Sequence, residues 1–153
     1  MEELDAKIAS YTDLVVYNLE NCGAMLTDCN DVDIFTDGND KFNALIEDMK
    51  QAKEFIHIQY YIIKNDVLFQ QIKDILIEKA AEGVEVRVLF DAMGCRSVNH
   101  KFWKELNSKG VMTAEFFPAI LRRLQLRINY RNHRKIVVID NKVAYVGGFN
   151  IGK

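Results

Sequence analysis

Residues 55–90, FIHIQYYIIKNDVLFQQIKDILIEKAAEGVEVRVLF, contain two apolar strand patterns with a helical pattern between them. Phe55–Ile63 is rich in isoleucine and tyrosine, which favour strands, and Val84–Phe90 has the same character. Apolar residues recur at helical spacing over 68–76, and Gly83 ends that helix. A strand, a helix and a strand joined by short loops form a βαβ unit, which predicts two parallel strands with a right-handed crossover.

Further elements extend this unit in both directions. The predicted elements are a helix over residues 2–22, a strand at Val32–Thr36 closed by a turn at Asp37-Gly38, helices over 41–52 and 98–108, a strand at Val111–Phe117 and a hairpin of Asn132–Ile139 with Val143–Val146. We therefore predict an α/β domain with a mixed sheet flanked by helices on both faces. Residues 1–30 are expected to be a helical acidic lead-in, and residues 31–153 a single domain.

The composition is that of a soluble globular protein, with 49% apolar and 27% charged residues among 153. No run approaches the roughly 18 apolar residues of a membrane span, and Met1 is followed by acids, unlike a signal peptide. Cys22, Cys29 and Cys95 lack the paired short spacing of a zinc site. We expect three reduced thiols without a role, which fits a cytosolic location.

Charge is distributed unevenly along the chain. Residues 1–40 hold ten acids and one base, whereas residues 41–115 hold eleven of each. Residues 116–153 hold eight bases and one acid, and the six bases between Glu115 and Asp140 are not interrupted by an acid. A local cationic field of this kind attracts anions. The carboxyl-terminal part of the chain is therefore the expected place for an anionic substrate.

Within that cationic region lies the stretch 133–150, HRKIVVIDNKVAYVGGFN. His133 and Lys135 are two residues apart in an apolar run, and in a strand such residues share a face. An imidazole and an ammonium are then presented side by side. The imidazole can attack or transfer a proton, and the ammonium can hold a phosphate oxygen.

These residue types suit phosphodiester chemistry. Such a reaction needs a nucleophile, donors for the equatorial oxygens and a proton for the leaving group. His133 can be the nucleophile at neutral pH, and Lys135 and Asn150 can hold the oxygens without a metal. For Asp140, a role in the site and a structural role at the end of the strand, bonded to backbone or to a base, both remain open.

Histidine, lysine, aspartate, a glycine pair and asparagine at these distances resemble the HxK(x)4D(x)6GG(x)N signature of the phospholipase D superfamily. Within it, the chain is similar to the amino-terminal catalytic half of bacterial cardiolipin synthases. Phe55–Ile63, the GVEVRVLFDAMG run at Gly83–Gly94 and the RINYRNHRK run at Arg127–Lys135 add to the similarity. The resemblance covers about residues 31–152.

The resemblance implies a phosphatidyltransferase that converts two phosphatidylglycerols into cardiolipin and glycerol through a phosphohistidine, with neither metal nor cofactor. Two signature motifs meet in such enzymes, one histidine attacking phosphorus and the other protonating the leaving alcohol. The resemblance implies catalytic roles for His133, Lys135 and Asp140, with His133 either the nucleophile or its acid–base partner. It also implies phosphate binding by Lys135, Asn150, Gly148 and Arg131.

The chain departs from that pattern because it contains one HxK motif and ends three residues after Asn150. We expect the second HxK half-domain to come from the same full-length chain, with this chain a fragment of it, or from a homodimer mate. An isolated monomer is then expected to be inactive as a lipid synthase. The full-length protein is expected at the bacterial cytoplasmic membrane, bound to phosphatidylglycerol at the membrane surface, and this part is expected to be soluble.

Other functions remain open at this stage. A homodimeric nuclease or phosphodiesterase of the same superfamily would use the cationic stretch 118–135 for nucleic acid, and Tyr130 could stack on a base. A phosphate- or lipid-binding half-domain without activity, and a transferase with another acceptor alcohol, are further alternatives. The segment 118–131 is a loop of the site, a short interfacial stretch that meets lipid, or a solvated loop with some buried leucines. Asp91 either lines the site beyond its strand or caps a turn, and His57 is either a structural strand histidine or a site residue.

Overall fold

The computed structural model describes residues 9–27, 30–118 and 131–152. The chain divides into two compact units, Met1–Ile34 and Phe35–Lys153. In chain order the elements are α1 (Thr12–Cys22), α2 (Gly38–Gln51), β1 (Phe55–Tyr60), α3 (Val67–Ala81), β2 (Glu85–Asp91), α4 (His100–Ser108), β3 (Met112–Phe116), β4 (Lys135–Ile139) and β5 (Val143–Val146).

The first unit contains α1. Gly23 ends this helix in the left-handed region, at a φ of 63°, and its N–H donates to the Leu19 carbonyl at 3.1 Å. A helical ending of this kind favours glycine, because other residues are strained there. The helix predicted over residues 2–22 is thus confirmed for its second half, and residues 2–8 lie outside the described part of the chain.

The second unit is built on one five-stranded sheet with the order β3-β2-β1-β4-β5. β1 pairs with β2 in parallel, from Phe55 opposite Glu85 to Tyr60 opposite Phe90, and β2 pairs in parallel with β3. β4 and β5 are antiparallel, both to each other and to β1. The predicted βαβ unit, the predicted hairpin and the α/β class with a mixed sheet are all confirmed.

The core lies where alternate strand residues meet the helices. Every second residue of β1, namely Ile56, Ile58 and Tyr60, is buried. The Phe90 ring of β2 stacks on the Trp103 ring of α4 with centroids 3.8 Å apart. The buried side chains that α2, α3 and α4 add to this cluster include Phe42, Leu45, Met49, Phe69, Ile72, Leu76, Phe102, Trp103 and Leu106.

The strand predicted at Val32–Thr36 is wrong. No strand among the described residues pairs with it, and Val32 and Ile34 are 73% and 86% exposed. An unpaired segment leaves its backbone groups to water, so alternation alone does not make a strand. Asp37 does not close a turn there but caps α2, since its carboxylate accepts from the Asn39 N–H at 2.7 Å.

Two predicted strands are shorter than expected, and for a shared reason. β1 ends at Tyr60 instead of Ile63, and β4 begins at Lys135 instead of Asn132. Tyr60 is paired with Lys135, so the ladder between these two strands ends at that pair. His133 therefore lies just outside the sheet. Ile63 pairs separately, in a parallel bridge with Ile151.

The segment predicted as a loop or lipid contact, 118–131, lies outside the described residues except at its two ends. Across the described ranges, the helices are too short or too polar to cross a bilayer.

Candidate active site

His133 and Lys135 lie at the edge of the second unit where β1 ends and β4 begins. Lys135 Nζ donates to the His133 carbonyl oxygen at 2.7 Å, and the His133 side chain is exposed. The Tyr61 ring contacts both. Its centroid is 4.0 Å from that of the His133 imidazole and 5.5 Å from Lys135 Nζ. The imidazole and the ammonium thus both lie against one aromatic ring, although His133 lies outside the strand in which the sequence placed it.

The carboxyl end of the motif returns to the same edge. The Gly147 N–H donates to the Lys135 carbonyl at 3.3 Å, which places the glycine pair beside the lysine. The Ile151 N–H donates to the Ile62 carbonyl at 3.2 Å, so Asn150 lies next to the segment that carries Tyr61. Asn150 Oδ1 is buried and without a hydrogen-bond partner in the described chain. Such an orphaned polar atom is unusual in a protein interior and fits a site that binds polar groups.

Gly148 is exposed, and a Cβ added to it would meet no atom within 4 Å. Its φ is outside the left-handed region, so neither strain nor crowding from protein atoms requires a glycine there. Nothing among the described protein atoms therefore accounts for a glycine at this position.

Arg131 adds a second cation close to the histidine. Its guanidinium lies over the Phe117 ring at 5.2 Å, and its Nη1 is buried without a hydrogen-bond partner among the described groups. A cavity of about 510 Å³ adjoins it. The residues lining the cavity are Phe116, Arg131, Asn132, His133 and Arg134. Two guanidinium groups and an imidazole around one cavity form an environment for an anion.

Asp140 lies at the other end of β4. It is five positions along the chain from Lys135, which corresponds to about 16 Å along a strand. Its carboxylate accepts hydrogen bonds from the backbone N–H groups of Lys53 (2.8 Å), Glu54 (2.9 Å) and Phe55 (2.8 Å). Burial alone would raise the pKa of Asp140, but these three donors outweigh it and hold the pKa below its ordinary value.

The structure therefore brings together five of the six predicted site residues and separates the sixth. His133, Lys135, Gly148, Asn150 and Arg131 are associated with one edge of the unit. Asp140 is not, and its contacts are those of the structural role left open by the sequence.

Asp91 joins two of the segments around the site. It is 1% exposed, and its Oδ2 accepts from the Asn132 N–H at 3.1 Å. Its Oδ1 accepts from the Met93 N–H at 2.8 Å. The interpretation of Asp91 as a turn cap agrees with these contacts. Its carboxylate is buried and does not line the site, but it also bonds the backbone of the residue that precedes His133.

His57 lies on the face of the sheet opposite to the one that carries Ile56 and Ile58. It alternates with Ile56 and Ile58, which are buried in the core, and its Nε2 lies 2.7 Å from Glu85 Oε1. The structural interpretation of this histidine agrees with these contacts.

Tyr61 is the residue at the site that the sequence did not single out. It follows directly after β1, which a continuous strand prediction to Ile63 hides. The end of a strand is where side chains of an α/β site are expected, so a correct strand end would have pointed to it.

Comparison with known protein families gives a match over residues 45–153 to the family described as cardiolipin synthase, PLD-like domain. The major cardiolipin synthase of Bacillus subtilis (strain 168) is 51% identical over 140 residues, which are 92% of this chain and 29% of that protein. A cardiolipin synthase of Oceanobacillus iheyensis is 50% identical over 145 residues, or 95% of this chain and 30% of that protein. The chain thus spans about 30% of the length of these relatives.

Two solved structures are similar in fold. NucT from Helicobacter pylori has a TM-score of 0.54 at 19% identity, over 74% of this chain and 69% of that one. Nuc from Salmonella typhimurium, a phospholipase D family member, also has a TM-score of 0.54, at 18% identity, over 72% of this chain and 64% of that one. At such identities the likeness concerns the fold.

Proposed function

Because the chain belongs to the family of cardiolipin synthase, PLD-like domains, we propose that it supplies one of the two half-sites of a phosphatidyltransferase that makes cardiolipin. The reaction joins two phosphatidylglycerols and releases glycerol. The observation that carries the proposal is the grouping of His133, Lys135 and Asn150 at one exposed edge of the sheet, beside a cavity lined by arginines.

In the first step, a neutral ring nitrogen of His133 attacks the phosphorus of one phosphatidylglycerol. A nitrogen–phosphorus bond forms, and the bond from phosphorus to the glycerol headgroup oxygen breaks. Lys135 Nζ and the Asn150 amide hold the phosphate oxygens as charge builds on them. The departing glycerol oxygen takes a proton from the second half-site, because His133 has been used as the nucleophile.

In the second step, a headgroup hydroxyl of another phosphatidylglycerol attacks the same phosphorus. An oxygen–phosphorus bond forms, the nitrogen–phosphorus bond breaks, and the imidazole of His133 is restored. The hydroxyl proton goes to the group of the second half-site that gave its proton in the first step. Cardiolipin leaves with both phosphates, and the balance of protons is restored.

The charges around the site suit an anionic lipid. Arg131, Arg134 and Lys135 are bases within five residues, and residues 131–139 contain no acid. The side chains of His133 and Arg134 are exposed. We propose that this edge faces the surface of a membrane that contains phosphatidylglycerol, where the local field concentrates the substrate.

The second half-site is a partner that the reaction requires. A second HxK half-domain in the same full-length protein, or a homodimer mate, would supply the proton donor. An isolated monomer then has half of the acid–base pair and is inactive as a lipid synthase. Orphaned Asn150 Oδ1 and the exposed imidazole are consistent with a site that is completed by another surface.

The proposal is tested by lipid turnover as a function of assembly. The chain is fractionated by size, and each fraction is given phosphatidylglycerol vesicles, with cardiolipin and glycerol as the products measured. No cardiolipin is expected from the monomer, and cardiolipin is expected when a second HxK half is joined to it. Robust turnover by a proven monomer would contradict the half-site proposal. Salt-sensitive cleavage of DNA without lipid turnover would favour a nuclease instead.

A further inference from the structure

The ring of Tyr61 contacts both functional side chains of the proposed half-site. It lies against the His133 imidazole, with ring centroids 4.0 Å apart and planes inclined by 38°. Lys135 Nζ lies over the same ring at 5.5 Å, within the range of a cation–π contact. His133 lies outside the β4 ladder, so regular strand pairing does not fix its side chain. The Tyr61 ring packs against its imidazole.

Tyr61 also lies outside its strand, and the turn after β2 fixes its backbone. A Cβ built on Gly94 would be 2.0 Å from the Tyr61 carbonyl oxygen and 2.8 Å from the carbonyl carbon. Real Cβ atoms do not come so close to backbone, so glycine at this position permits the contact. The turn and the Tyr61 peptide are in direct van der Waals contact as a result.

The next residue of the turn, Cys95, reinforces this contact. Its Sγ lies 3.6 Å from the Tyr61 carbonyl and accepts from the Ile63 N–H at 3.2 Å. Burial raises the pKa of the Cys95 thiol to about 12, so the thiol stays protonated and can donate. The cysteine thus binds the peptides on both sides of Ile62, where β1 has already ended.

The same turn is tied to the backbone that leads into His133. One oxygen of the buried Asp91 carboxylate accepts from Met93 (2.8 Å) and Gly94 (3.3 Å), which shapes the turn. The other oxygen accepts from the Asn132 N–H at 3.1 Å, across 41 residues of sequence. A single carboxylate therefore connects the turn that holds Tyr61 to the residue before His133.

We propose that Tyr61 is a positioning residue for His133 and Lys135, and that the turn from Asp91 to Cys95 is the support that holds it in place. The consequence for catalysis rests on the proposed function, since it requires His133 to attack phosphorus. The geometry itself can be tested without any substrate. Packing on one face of an imidazole does not engage its two nitrogens, which lie in the plane of the ring, and it restricts the rotamers from which they can attack.

The test uses the imidazole proton signals of the three histidines of the chain in NMR spectra. His133→Ala identifies the signals of that residue. Protons over an aromatic face resonate upfield, so Tyr61→Leu is expected to move the His133 signals downfield and to leave those of His57 and His100 unchanged. Tyr61→Phe keeps the ring and is the matched control, with all three sets of signals in place. Unchanged His133 signals in Tyr61→Leu, or equal shifts in both variants, would overturn the proposal.

A second variant tests whether the turn from Asp91 to Cys95 supports Tyr61, and it keeps the proposal testable if Tyr61→Leu does not fold. Asp91→Asn cannot accept at both oxygens, and it is expected to move the His133 signals, whereas exposed Asp74→Asn is expected to leave them unchanged. An Asp91→Asn spectrum with His133 signals identical to those of the wild type would show that the turn has no part in positioning.

Kinetics separate this proposal from the proposed function. With bis(4-nitrophenyl) phosphate as the probe, the initial release of nitrophenolate is expected to be about tenfold slower or more in Tyr61→Leu than in Tyr61→Phe. If the wild type releases none, the nucleophile role of His133 fails, and the NMR signals still decide the geometry. If the wild type releases nitrophenolate and the two variants release it equally fast, only the positioning role of Tyr61 fails.

Discussion

Asp140 and Phe55 exchange two hydrogen bonds across 85 residues of sequence. The Phe55 N–H donates to Asp140 Oδ1 at 2.8 Å, and the Asp140 N–H donates to the Phe55 carbonyl at 3.1 Å. Lys53 and Glu54 donate to the same carboxylate. The aspartate of the signature therefore fastens the start of β1 to the end of β4, at the edge of the sheet opposite to His133.

Replacing this carboxylate is expected to lower the free energy of unfolding and to leave the region around His133 and Lys135 folded. Asp140→Ala leaves three backbone N–H groups without their acceptor, at a cost of about 1–3 kcal/mol in the free energy of unfolding. Urea denaturation measures the loss. Asp74→Ala, which removes an exposed aspartate of α3, is the matched control and is expected to change stability by less. Equal effects of the two substitutions would contradict a structural role for Asp140.

The same carboxylate predicts a dependence on pH. Its pKa lies below the ordinary value of 3.8 in the folded chain, so its contribution to stability is complete above that value. The contribution is lost as the pH falls below 3.8 and through the folded pKa. The difference in urea midpoint between the wild type and Asp140→Asn is therefore expected to be larger near pH 6 than near pH 3. A difference in urea midpoint that grows as the pH falls would show that folding does not stabilise the charged form of Asp140.

Lys41 is a buried lysine with an aromatic environment. Its Nζ donates to the Tyr60 hydroxyl at 2.5 Å and lies 3.9 Å from the centroid of the Phe42 ring. Burial lowers the pKa of Lys41 from its ordinary 10.5 to about 8. Because the unfolded chain then binds more protons than the folded chain between these values, stability is expected to rise with pH over that interval.

Comparison with Lys41→Met isolates this effect from other groups that titrate in alkali. The stability of the wild type relative to Lys41→Met is expected to be level below about pH 8 and to increase from there to about pH 10.5. Lys101→Met, at an exposed position of α4, is the control and is expected to lack this increase. A relative stability that stays level or falls between about pH 8 and pH 10.5 would show that folding does not lower the pKa of Lys41.

The glycine pair offers a test that separates binding from stability. An alanine Cβ at Gly148 meets no protein atom within 4 Å, and the same holds at Gly147. Both substitutions are therefore expected to change the free energy of unfolding by no more than about 1 kcal/mol. If phosphate approaches the backbone at Gly148, Gly148→Ala weakens binding of phosphatidylglycerol vesicles by roughly tenfold, or about 1.4 kcal/mol. Vesicle sedimentation measures it, and binding equal to that of the wild type would remove Gly148 from the site.

The local pattern of the sequence was enough for the βαβ unit and the hairpin, and it brought His133 close to Lys135, although His133 lies outside the strand that was predicted to hold it. Each depends on periodicity or on a spacing of two residues. The strand at Val32–Thr36 failed, because whether an alternating segment pairs depends on what lies beside it. The predicted end of β1 and the predicted start of β4 were wrong for a similar reason, because the pairing of these two strands stops at Tyr60 and Lys135.

Contacts between distant segments account for what the sequence did not predict. The bond from Asn132 to Asp91 crosses 41 residues, and those from Lys53, Glu54 and Phe55 to Asp140 cross 85 or more. No spacing within the chain encodes such pairs. The place of Tyr61 against His133 follows from the same pairing of β1 with β4, so it too became visible only in the fold.

An activated substrate tests, on the chain alone, whether His133 is the nucleophile of a half-site. Nitrophenolate leaves without a proton, so bis(4-nitrophenyl) phosphate bypasses the missing acid of the second half-site. A burst of about one nitrophenolate per chain is expected, with an acid-labile 4-nitrophenyl phosphoryl group left on the peptide that contains His133. His133→Ala is expected to abolish the burst, and His57→Ala to retain it. No burst from the wild type, or a burst that survives His133→Ala, would contradict the account.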